Sequence, residues 1–399
     1  MNLNSPPCIP GLEVFLERPI DSLRNARFGL LMNQASVDRN CQTACDRFEQ
    51  TFPNQLRAIF SPQHGLWCEE QANMIESQHQ VHPWLNIPVH SLYSETRRPT
   101  PEMLESIDAL VIDLQDVGTR VYTFAWTMVN CLQACAERGV SVVVLDRPNP
   151  LGGEILEGPP LHSAFRSFVG LLDIPMRHGL TLGEIARLAI RELHIDVDLH
   201  MVRCSGWQRS ELFTATRLPW LMPSPNMPSF ETAVVYPGQV LLEGTNLSEG
   251  RGTTLPFQIV GAPWIDPKRL FDRLNEFSFP GLQWVPIYFR PTFDKYGNQR
   301  CGGVLLRIVR PEQVRSYEFT VRLLTVVRQE WPDSFAWLPP PYEYETIKPP
   351  IDILSGNTQL RTFVDSQPIT ASQYAAQFDR LVNIDAVSHW LASTDALLY

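Results

Sequence analysis

The sequence has no run of lysine or arginine. Its 33 basic side chains are outnumbered by 43 acidic ones, which gives a formal net charge of −10 at pH 7. Proteins that bind nucleic acids carry clustered basic residues to neutralise phosphates, so this composition excludes a nucleic-acid partner. An anionic substrate would also need a local arginine inside its pocket, because the surface as a whole does not attract anions.

Long hydrophobic runs are missing too. No apolar stretch approaches the roughly 18 residues that a transmembrane helix requires, so we expect no membrane partner. The N-terminal segment MNLNSPPCIPGLEVFLERPIDSL lacks the basic start and apolar core of a signal peptide. These features predict a cytoplasmic protein, and they do not indicate its oligomeric state.

Cysteine motifs for metal or redox chemistry are absent. None of the eight cysteines, at positions 8, 41, 45, 68, 131, 135, 204 and 301, forms a C-x-x-C motif. Two pairs, Cys41/Cys45 and Cys131/Cys135, are four residues apart on predicted helices, but no second ligand pair completes a zinc site. We expect reduced packing thiols and no bound metal.

Common cofactor and hydrolase motifs are also lacking. The predicted first strand and the residues after it, FGLLMNQASV, contain no G-x-G-x-x-G fingerprint, and the chain has no phosphate-binding P-loop. It has no G-x-S-x-G nucleophile elbow and no H-E-x-x-H zinc motif. A nucleotide cofactor and a standard α/β-hydrolase site are therefore not expected.

The first part of the chain, residues 1–220, alternates short apolar runs with amphipathic stretches. Runs such as VSVVVLD, apolar on both faces, are typical of parallel strands covered by helices. Capping patterns at Thr100 and Thr181 mark two helix starts. The fold class predicted is α/β, with a Rossmann-like, doubly wound, mostly parallel sheet. The predicted strands are 28–33, 56–61, 88–93, 109–116, 140–146 and 197–204, and the predicted helices lie near 40–50, 101–107, 122–138 and 181–193.

The second part, residues 221–399, is predicted to be a smaller α+β domain. Its segment 223–257 is rich in proline, glycine and polar residues and shows no helical periodicity. Long ordered loops are usually functional, so we interpret this segment as a loop at the interface between the two domains. Helices near 267–277 and 311–330 and strands near 283–290 and 303–309 follow it.

Polar side chains follow four predicted strands of the first domain. Ligands of doubly wound sheets bind at the carboxyl ends of the strands, so these residues are expected to converge on a site. Two structural interpretations remain open: Asp116 caps the following turn, and the DRPNP segment merely ends its strand. The residues concerned are Asn33, Gln34, Gln63, His64, Asp113, Asp116, Arg120, Asp146, Arg147 and Asn149.

The segment LLEGTNLSEGRGT adds Glu243, Asn246, Glu249 and Arg251 within nine residues. Its glycines would let the backbone approach a ligand closely, although a salt-bridged loop would use the same residues. Asn226 lies in the proline-stiffened turn PSPNMP. Two carboxylates, one protonated and one ionised, are the usual equipment for glycoside hydrolysis, and the sequence leaves open which pair would serve.

Several long motifs resemble one known family. The chain is similar over about residues 10–365 to the NamZ-type exo-β-N-acetylmuramidases, glycoside hydrolase family 171, formerly a family of unknown function. The resemblance implies a Rossmann-like domain, a smaller C-terminal domain, a site in the cleft between them, and no metal or organic cofactor. The implied activity is release of N-acetylmuramic acid from the non-reducing end of peptidoglycan-derived glycans, here in cell-wall recycling. The motifs, in chain order, are SPQHGLW, DLQDVGTRVYTF, VVLDRPNPLGG, MRHGLTLGE, PSPNMP, YPGQVLLEGTNLSEGRGTTLPF, RPTFDKYGNQRCGGVLL and PPIDILSG.

The resemblance also suggests residue roles, with one departure. Many relatives have P-E-H-G where this chain has Pro62-Gln63-His64-Gly65, and a glutamine cannot exchange a proton. A catalytically silent sugar-binding protein and a hydrolase of a different muropeptide bond therefore remain alternatives. The expected catalytic group is Glu243, Glu249, Asp116, His64 and Gln63. The expected substrate-binding residues are Asn33, Arg120, Tyr122, Arg147, Asn149, His178, Asn226, Asn246 and Arg251, with an arginine pairing with the lactyl carboxylate.

Overall fold

The computed structural model describes residues 7–71, 74–366, 371–382 and 395–399. A seven-stranded sheet occupies the first part of the chain, in the order β3-β4-β2-β1-β5-β6-β7. All neighbouring strands are parallel except β3, which runs antiparallel to β4. The predicted mostly parallel, doubly wound sheet is therefore confirmed. The strands are β1 (Phe28–Met32), β2 (Leu56–Ser61), β3 (Gln80–Val81), β4 (Pro88–Ser91), β5 (Ala109–Asp113), β6 (Ser141–Leu145) and β7 (Leu199–Val202).

Helices cover both faces of this sheet, which explains its doubly apolar strands. In β5, Leu110 and Ile112 join one hydrophobic core, whereas Ala109 and Val111 join another on the opposite face. The helix start predicted at Thr181 is confirmed as a complete capping box with Glu184. The helices are α1 (Gly11–Glu17), α2 (Ala44–Thr51), α3 (Pro101–Leu104), α4 (Phe124–Arg138), α5 (Leu182–Leu193) and α6 (Phe213–Thr216).

The later part of the chain forms a smaller α+β unit, as predicted. Its antiparallel sheet has the order β8-β10-β9. The predicted boundary between residues 220 and 221 stays a prediction. The elements are α7 (Phe230–Gln239), β8 (Ile259–Ala262), α8 (Pro267–Leu274), β9 (Leu282–Phe289), β10 (Cys301–Ile308), α9 (Ser316–Glu330), α10 (Pro350–Ser355), α11 (Gln359–Asp365) and α12 (Ala371–Val382).

The prediction that 223–257 is a loop was wrong over part of its length. It contains α7, which continues into a 3₁₀ helix at Val240–Gly244. Almost every residue of α7 is buried, so the helix has no polar face and gives no amphipathic pattern. Gly238 is needed because a Cβ there would lie 1.9 Å from the backbone oxygen of Ser316 in α9.

All eight cysteines are free thiols. Cys131 and Cys135 lie buried on α4, as predicted, but Cys41 lies in the loop before α2 rather than on a helix. Over the described ranges, no helix has the length and apolar character needed to cross a membrane. The signal-peptide prediction rests partly on residues 1–6, which lie outside the described residues.

Candidate active site

A pocket lies where both parts of the chain meet. The first part of the chain contributes residues 63–64 after β2, residues 121–124 at the start of α4, and Val169. The later part contributes residues from the stretches 224–257 and 342–343. The empty space of the pocket and its mouth is about 470 Å³. The lining residues are Gln63, His64, Val121, Tyr122, Thr123, Phe124, Val169, Ser224, Asn226, Met227, Tyr236, Glu243, Arg251, Phe257, Tyr342 and Glu343.

The loop after β2 supplies Gln63 and His64. Its chain turns sharply, with His64 at φ +75° and Gly65 at φ +81°. The Gln63 side chain is fixed at both ends, because Thr123 donates to its Oε1 (2.7 Å) and its Nε2 donates to Glu343 (3.3 Å). The turn therefore holds a rigid amide in the pocket wall.

Sequence reasoning missed Glu343. It lies in the proline-rich stretch after α9, far from any predicted strand end. Its Oε2 accepts a hydrogen bond from the Tyr93 hydroxyl (2.8 Å), and its Oε1 accepts the bond from Gln63. Burial raises the pKa of Glu343, although these two hydrogen bonds work in the opposite direction. The one available signal was an acidic residue flanked by two tyrosines in a segment of prolines.

The second carboxylate of the pocket, Glu243, has a different environment. Arg251 Nη2 donates to its Oε1 (2.6 Å), and the Tyr342 hydroxyl donates to its Oε2 (2.6 Å). Hydrogen bonds between a guanidinium and a carboxylate are charge-assisted and stronger than neutral ones. Thus the pocket contains two glutamates, one ion-paired with an arginine and the other held by uncharged donors.

Glu249 does not line the pocket but supports it from behind. It lies 3.1 Å from Arg251 Nε and accepts a bond from Lys295 Nζ (2.9 Å). Burial acts to raise the pKa of Glu249, but the two cations outweigh it and the pKa is lowered. Burial acts to lower the pKa of Arg251, and Glu243 and Glu249 together raise it. The loop therefore contains the salt bridges of the structural interpretation, and two of its residues, Glu243 and Arg251, also line the pocket.

His64 is uncharged at neutral pH. Burial lowers its pKa to about 4, with Arg251 adding to the effect. Its Nδ1 lies 2.7 Å from the backbone oxygen of Glu70. A carbonyl oxygen only accepts hydrogen bonds, so Nδ1 carries the proton and Nε2 is left as an acceptor.

Two further predicted residues form pocket wall. Tyr122 packs edge-on against Tyr236, with ring centroids 6.1 Å apart. Asn226 donates to the backbone oxygen of Gln71 (2.9 Å), which ties its loop to the loop after β2. The predicted residues that line the pocket are therefore Gln63, His64, Tyr122, Asn226, Glu243 and Arg251.

The other predicted residues lie outside the pocket lining, and their contacts are structural. Asp116 accepts a hydrogen bond from Gly118 N (2.6 Å), as in the turn-capping interpretation, and its Oδ2 lies 3.3 Å from Nε2 of His178. Arg147 forms a buried ion pair with Asp113 (2.5 Å), since the two strand ends are adjacent.

The remaining predicted side chains form hydrogen bonds with backbone groups. Arg120 donates to the carbonyl oxygens of Pro159, Ile174 and Leu354. Three asparagines, Asn33, Asn149 and Asn246, each bond to backbone groups of other loops. The strand ends thus converge as predicted, but most of their polar groups bind one another, and their predicted contacts with a ligand stay predictions.

Fold and pocket together define a two-part α/β protein whose candidate site contains two buried glutamates. In the described part of the chain, no group of three or more His, Cys, Asp and Glu side chains is arranged to hold a metal ion. Sequence models of the exo-β-N-acetylmuramidase NamZ match over residues 28–231 for its N-terminal part and 234–384 for its C-terminal part. The chain belongs to this family.

Known proteins agree with this assignment. The chain is 39% identical over 356 residues to the peptidoglycan β-N-acetylmuramidase NamZ of Bacillus subtilis (strain 168), covering 89% of this chain and 84% of that protein. Two crystal structures of DUF1343 family proteins from Bacteroides fragilis NCTC 9343 have the same fold. One has a TM-score of 0.84 at 30% identity, the other 0.72 at 27%, and each alignment covers 98% of this chain and 99% of the other.

Proposed function

We propose that this protein is an exo-acting glycoside hydrolase that releases N-acetylmuramic acid from the non-reducing end of peptidoglycan-derived glycans. Membership of the muramidase family and the name of the Bacillus subtilis relative support the substrate class. The observation that carries the chemistry is the pair of buried glutamates in contrasting environments, Glu343 and Glu243.

Glu343 is the proposed general acid. Glycoside hydrolysis requires a carboxylic acid to protonate the leaving oxygen, and a raised pKa keeps that proton available near neutral pH. Burial raises the pKa of Glu343 above that of a free glutamate, in the direction that a general acid requires. Gln63 and Tyr93 hold the carboxyl group by hydrogen bonds, so they position the acid without exchanging the proton themselves.

Glu243 is the proposed ionised partner. The transition state of glycoside hydrolysis develops positive charge on the sugar ring, which a carboxylate in the same pocket stabilises. The Arg251 guanidinium and the Tyr342 hydroxyl fix the Glu243 oxygens by hydrogen bonds of 2.6 Å each. In this division of roles the acid, Glu343, was not among the residues predicted from the sequence, whereas Glu243 was.

Arg251 and His64 are the proposed contacts that select the sugar. Arg251 lines the pocket, and its buried Nη1 has no hydrogen-bond partner among the described residues. A buried donor without a partner is costly, and the lactyl carboxylate of N-acetylmuramic acid would satisfy it with a charge-assisted bond. The free Nε2 of His64 would accept a hydrogen bond from a sugar hydroxyl.

The test is incubation with the disaccharide N-acetylmuramyl-β-1,4-N-acetylglucosamine, with the products identified by mass spectrometry. The wild type should release both monosaccharides, and Glu343→Gln and Glu243→Gln should each reduce turnover by about 100- to 10,000-fold. The matched control is Glu345→Gln, because Glu345 lies two residues further on and bonds to Ile347 N and Lys348. It should leave turnover unchanged.

Two other outcomes of this test would contradict the proposal. Calorimetric binding of the disaccharide without turnover by the wild type would favour a sugar-binding protein. Release of peptide from a muropeptide, with the glycosidic bond intact, would favour an amidase.

A further inference from the structure

The turn that carries Glu343 has an unusual backbone. Tyr342 and Glu345 exchange two hydrogen bonds of 2.9 Å, so Glu343 and Tyr344 are the central residues of a two-residue hairpin turn. Both have left-handed backbones, at φ +44° and φ +69°. Such turns normally use asparagine and glycine, because side chains with a Cβ are disfavoured there. Strain of this kind persists only where the surroundings enforce it, and it is concentrated at functional sites.

The turn directs two neighbouring side chains to opposite environments. Glu343 is 4% exposed and lines the pocket, whereas the next residue, Tyr344, is not among the lining residues and is 54% exposed. Because its neighbours cover this ring only in part, it is available to stack against a ligand beside the proposed acid.

Tyr344 is held in one orientation. The Arg97 guanidinium lies 4.4 Å from the centroid of the Tyr344 ring and hydrogen-bonds its hydroxyl. The same guanidinium lies 4.0 Å from the centroid of Tyr93, whose hydroxyl donates to Glu343. Arg97 therefore packs on both rings, and Tyr344 as a residue is still 54% exposed.

Further apolar side chains are exposed on the two chain segments that meet at Glu343. The sulfur of Met74 accepts a hydrogen bond from the backbone N–H of Glu343 (3.3 Å), and Met74 is 44% exposed. Ile75 and Ile347, on the two chain segments that meet at Glu343, are also exposed. The two chain segments that meet at Glu343 thus carry an exposed aromatic ring and three exposed apolar side chains, which are groups suited to the C–H face of a pyranose ring.

We propose that Tyr344 is the platform of a subsite for the leaving sugar, the unit on the far side of the cleaved bond. This inference rests on the proposed function. The acid must reach the glycosidic oxygen that the two sugars share, so the leaving sugar has to lie beside Glu343. In the proposed function the released sugar occupies the pocket, so its neighbour lies outside the pocket and beside Glu343, the residue that precedes the exposed Tyr344. The site accordingly favours oligosaccharides over N-acetylmuramides with small leaving groups.

The experiment compares kcat/KM for the disaccharide with kcat/KM for methyl β-N-acetylmuramide, which has no leaving sugar. Tyr344→Ala should lower the value for the disaccharide by about five- to tenfold, the scale of one aromatic stacking contact. The methyl glycoside should be hydrolysed at nearly the wild-type rate, and Tyr344→Phe should retain the disaccharide preference. Tyr288→Ala is a matched control, because Tyr288 is 59% exposed and lies under Arg300 (3.9 Å) on β9.

Two results would overturn the subsite. Equal losses on both substrates would mean that Tyr344 acts only by shaping the turn that holds Glu343. Unchanged kinetics on both would mean that the ring contacts no sugar. Either result, obtained with an active wild type, leaves the proposed function standing. A wild type that hydrolyses neither substrate overturns both.

Discussion

The Gln63 side-chain amide donates a hydrogen bond to the Glu343 carboxylate at 3.3 Å, although 280 positions separate the two residues in the chain. Thr123 donates to the Gln63 oxygen, which leaves the amide N–H₂ facing Glu343. Thus Gln63, at the position where the family resemblance predicts a glutamate, contacts a glutamate supplied from a distant part of the chain. Gln63 is a positioning residue in our proposal, and the proton belongs to Glu343.

Substitution of Gln63 should move the alkaline limb of the pH–rate profile. The Gln63 hydrogen bond lowers the pKa of Glu343, so Gln63→Met should raise it modestly. Gln63→Glu should raise it further, by about one unit or more, because two close carboxylates cannot both ionise easily. The pH dependence of kcat/KM for the disaccharide measures the pKa in each protein, which should increase from the wild type to Gln63→Met and then to Gln63→Glu. A downward shift, or appearance of turnover only in Gln63→Glu, would contradict the assignment.

Arg251 should be essential to stability as well as to catalysis. Arg251→Met would leave the buried carboxylates of Glu243 and Glu249 without their guanidinium, at a cost of about 3–5 kcal/mol. Arg251→Lys keeps the charge but not the planar fork, so it should recover part of that stability with low activity. Urea unfolding monitored by circular dichroism tests both variants. If Arg251→Met lowers the free energy of unfolding by less than about 1 kcal/mol, the buried ion pairs of Arg251 with Glu243 and Glu249 do not stabilise the fold as described.

The last residue, Tyr399, should stabilise the fold in a pH-dependent way. Its hydroxyl donates to the buried Asp146 (2.8 Å), whose pKa burial raises to about 6 from 3.8. A raised carboxyl pKa means that stability from Asp146 is fully present below about 4 and is lost as pH rises through about 6. Tyr399→Phe removes a bond to an ionised acceptor at pH 8 but to a neutral one at pH 5.

The expected destabilisation by Tyr399→Phe is therefore about 1.5–3 kcal/mol at pH 8 and about 1 kcal/mol at pH 5. Urea unfolding at the two pH values measures it, with Tyr288→Phe on exposed β9 as the control. A loss that is equal at both pH values would show that Asp146 does not change its charge between them.

Local sequence signals predicted the first domain well, because its strands and helix starts depend on near neighbours. The strand prediction VSVVVLD and the capping box at Thr181 needed only a few consecutive residues. Helix α7 was missed because nearly all of it is buried and because Pro237 and Gly238 resemble helix breakers. Its stability comes from packing against α9, which no local pattern shows.

The candidate site was predictable where it depends on strand ends and on the glycine-rich loop. Gln63, His64, Glu243 and Arg251 all line the pocket. Polar groups at other strand ends, such as Asp113 and Arg147, instead neutralise each other, since a buried charge needs a partner. Glu343 was missed because tertiary contacts, and not a strand end, bring its proline-rich segment to the sheet.

The central claim, that Glu343 is the general acid, is tested most directly by the leaving-group dependence of Glu343→Gln. An activated leaving group such as dinitrophenolate departs without protonation, whereas a sugar alcohol does not. The variant should therefore lose about 100- to 10,000-fold in kcat/KM on the disaccharide but stay within about tenfold of the wild type on dinitrophenyl β-N-acetylmuramide. Equal losses on the two substrates, in a variant with wild-type thermal stability, would contradict the claim.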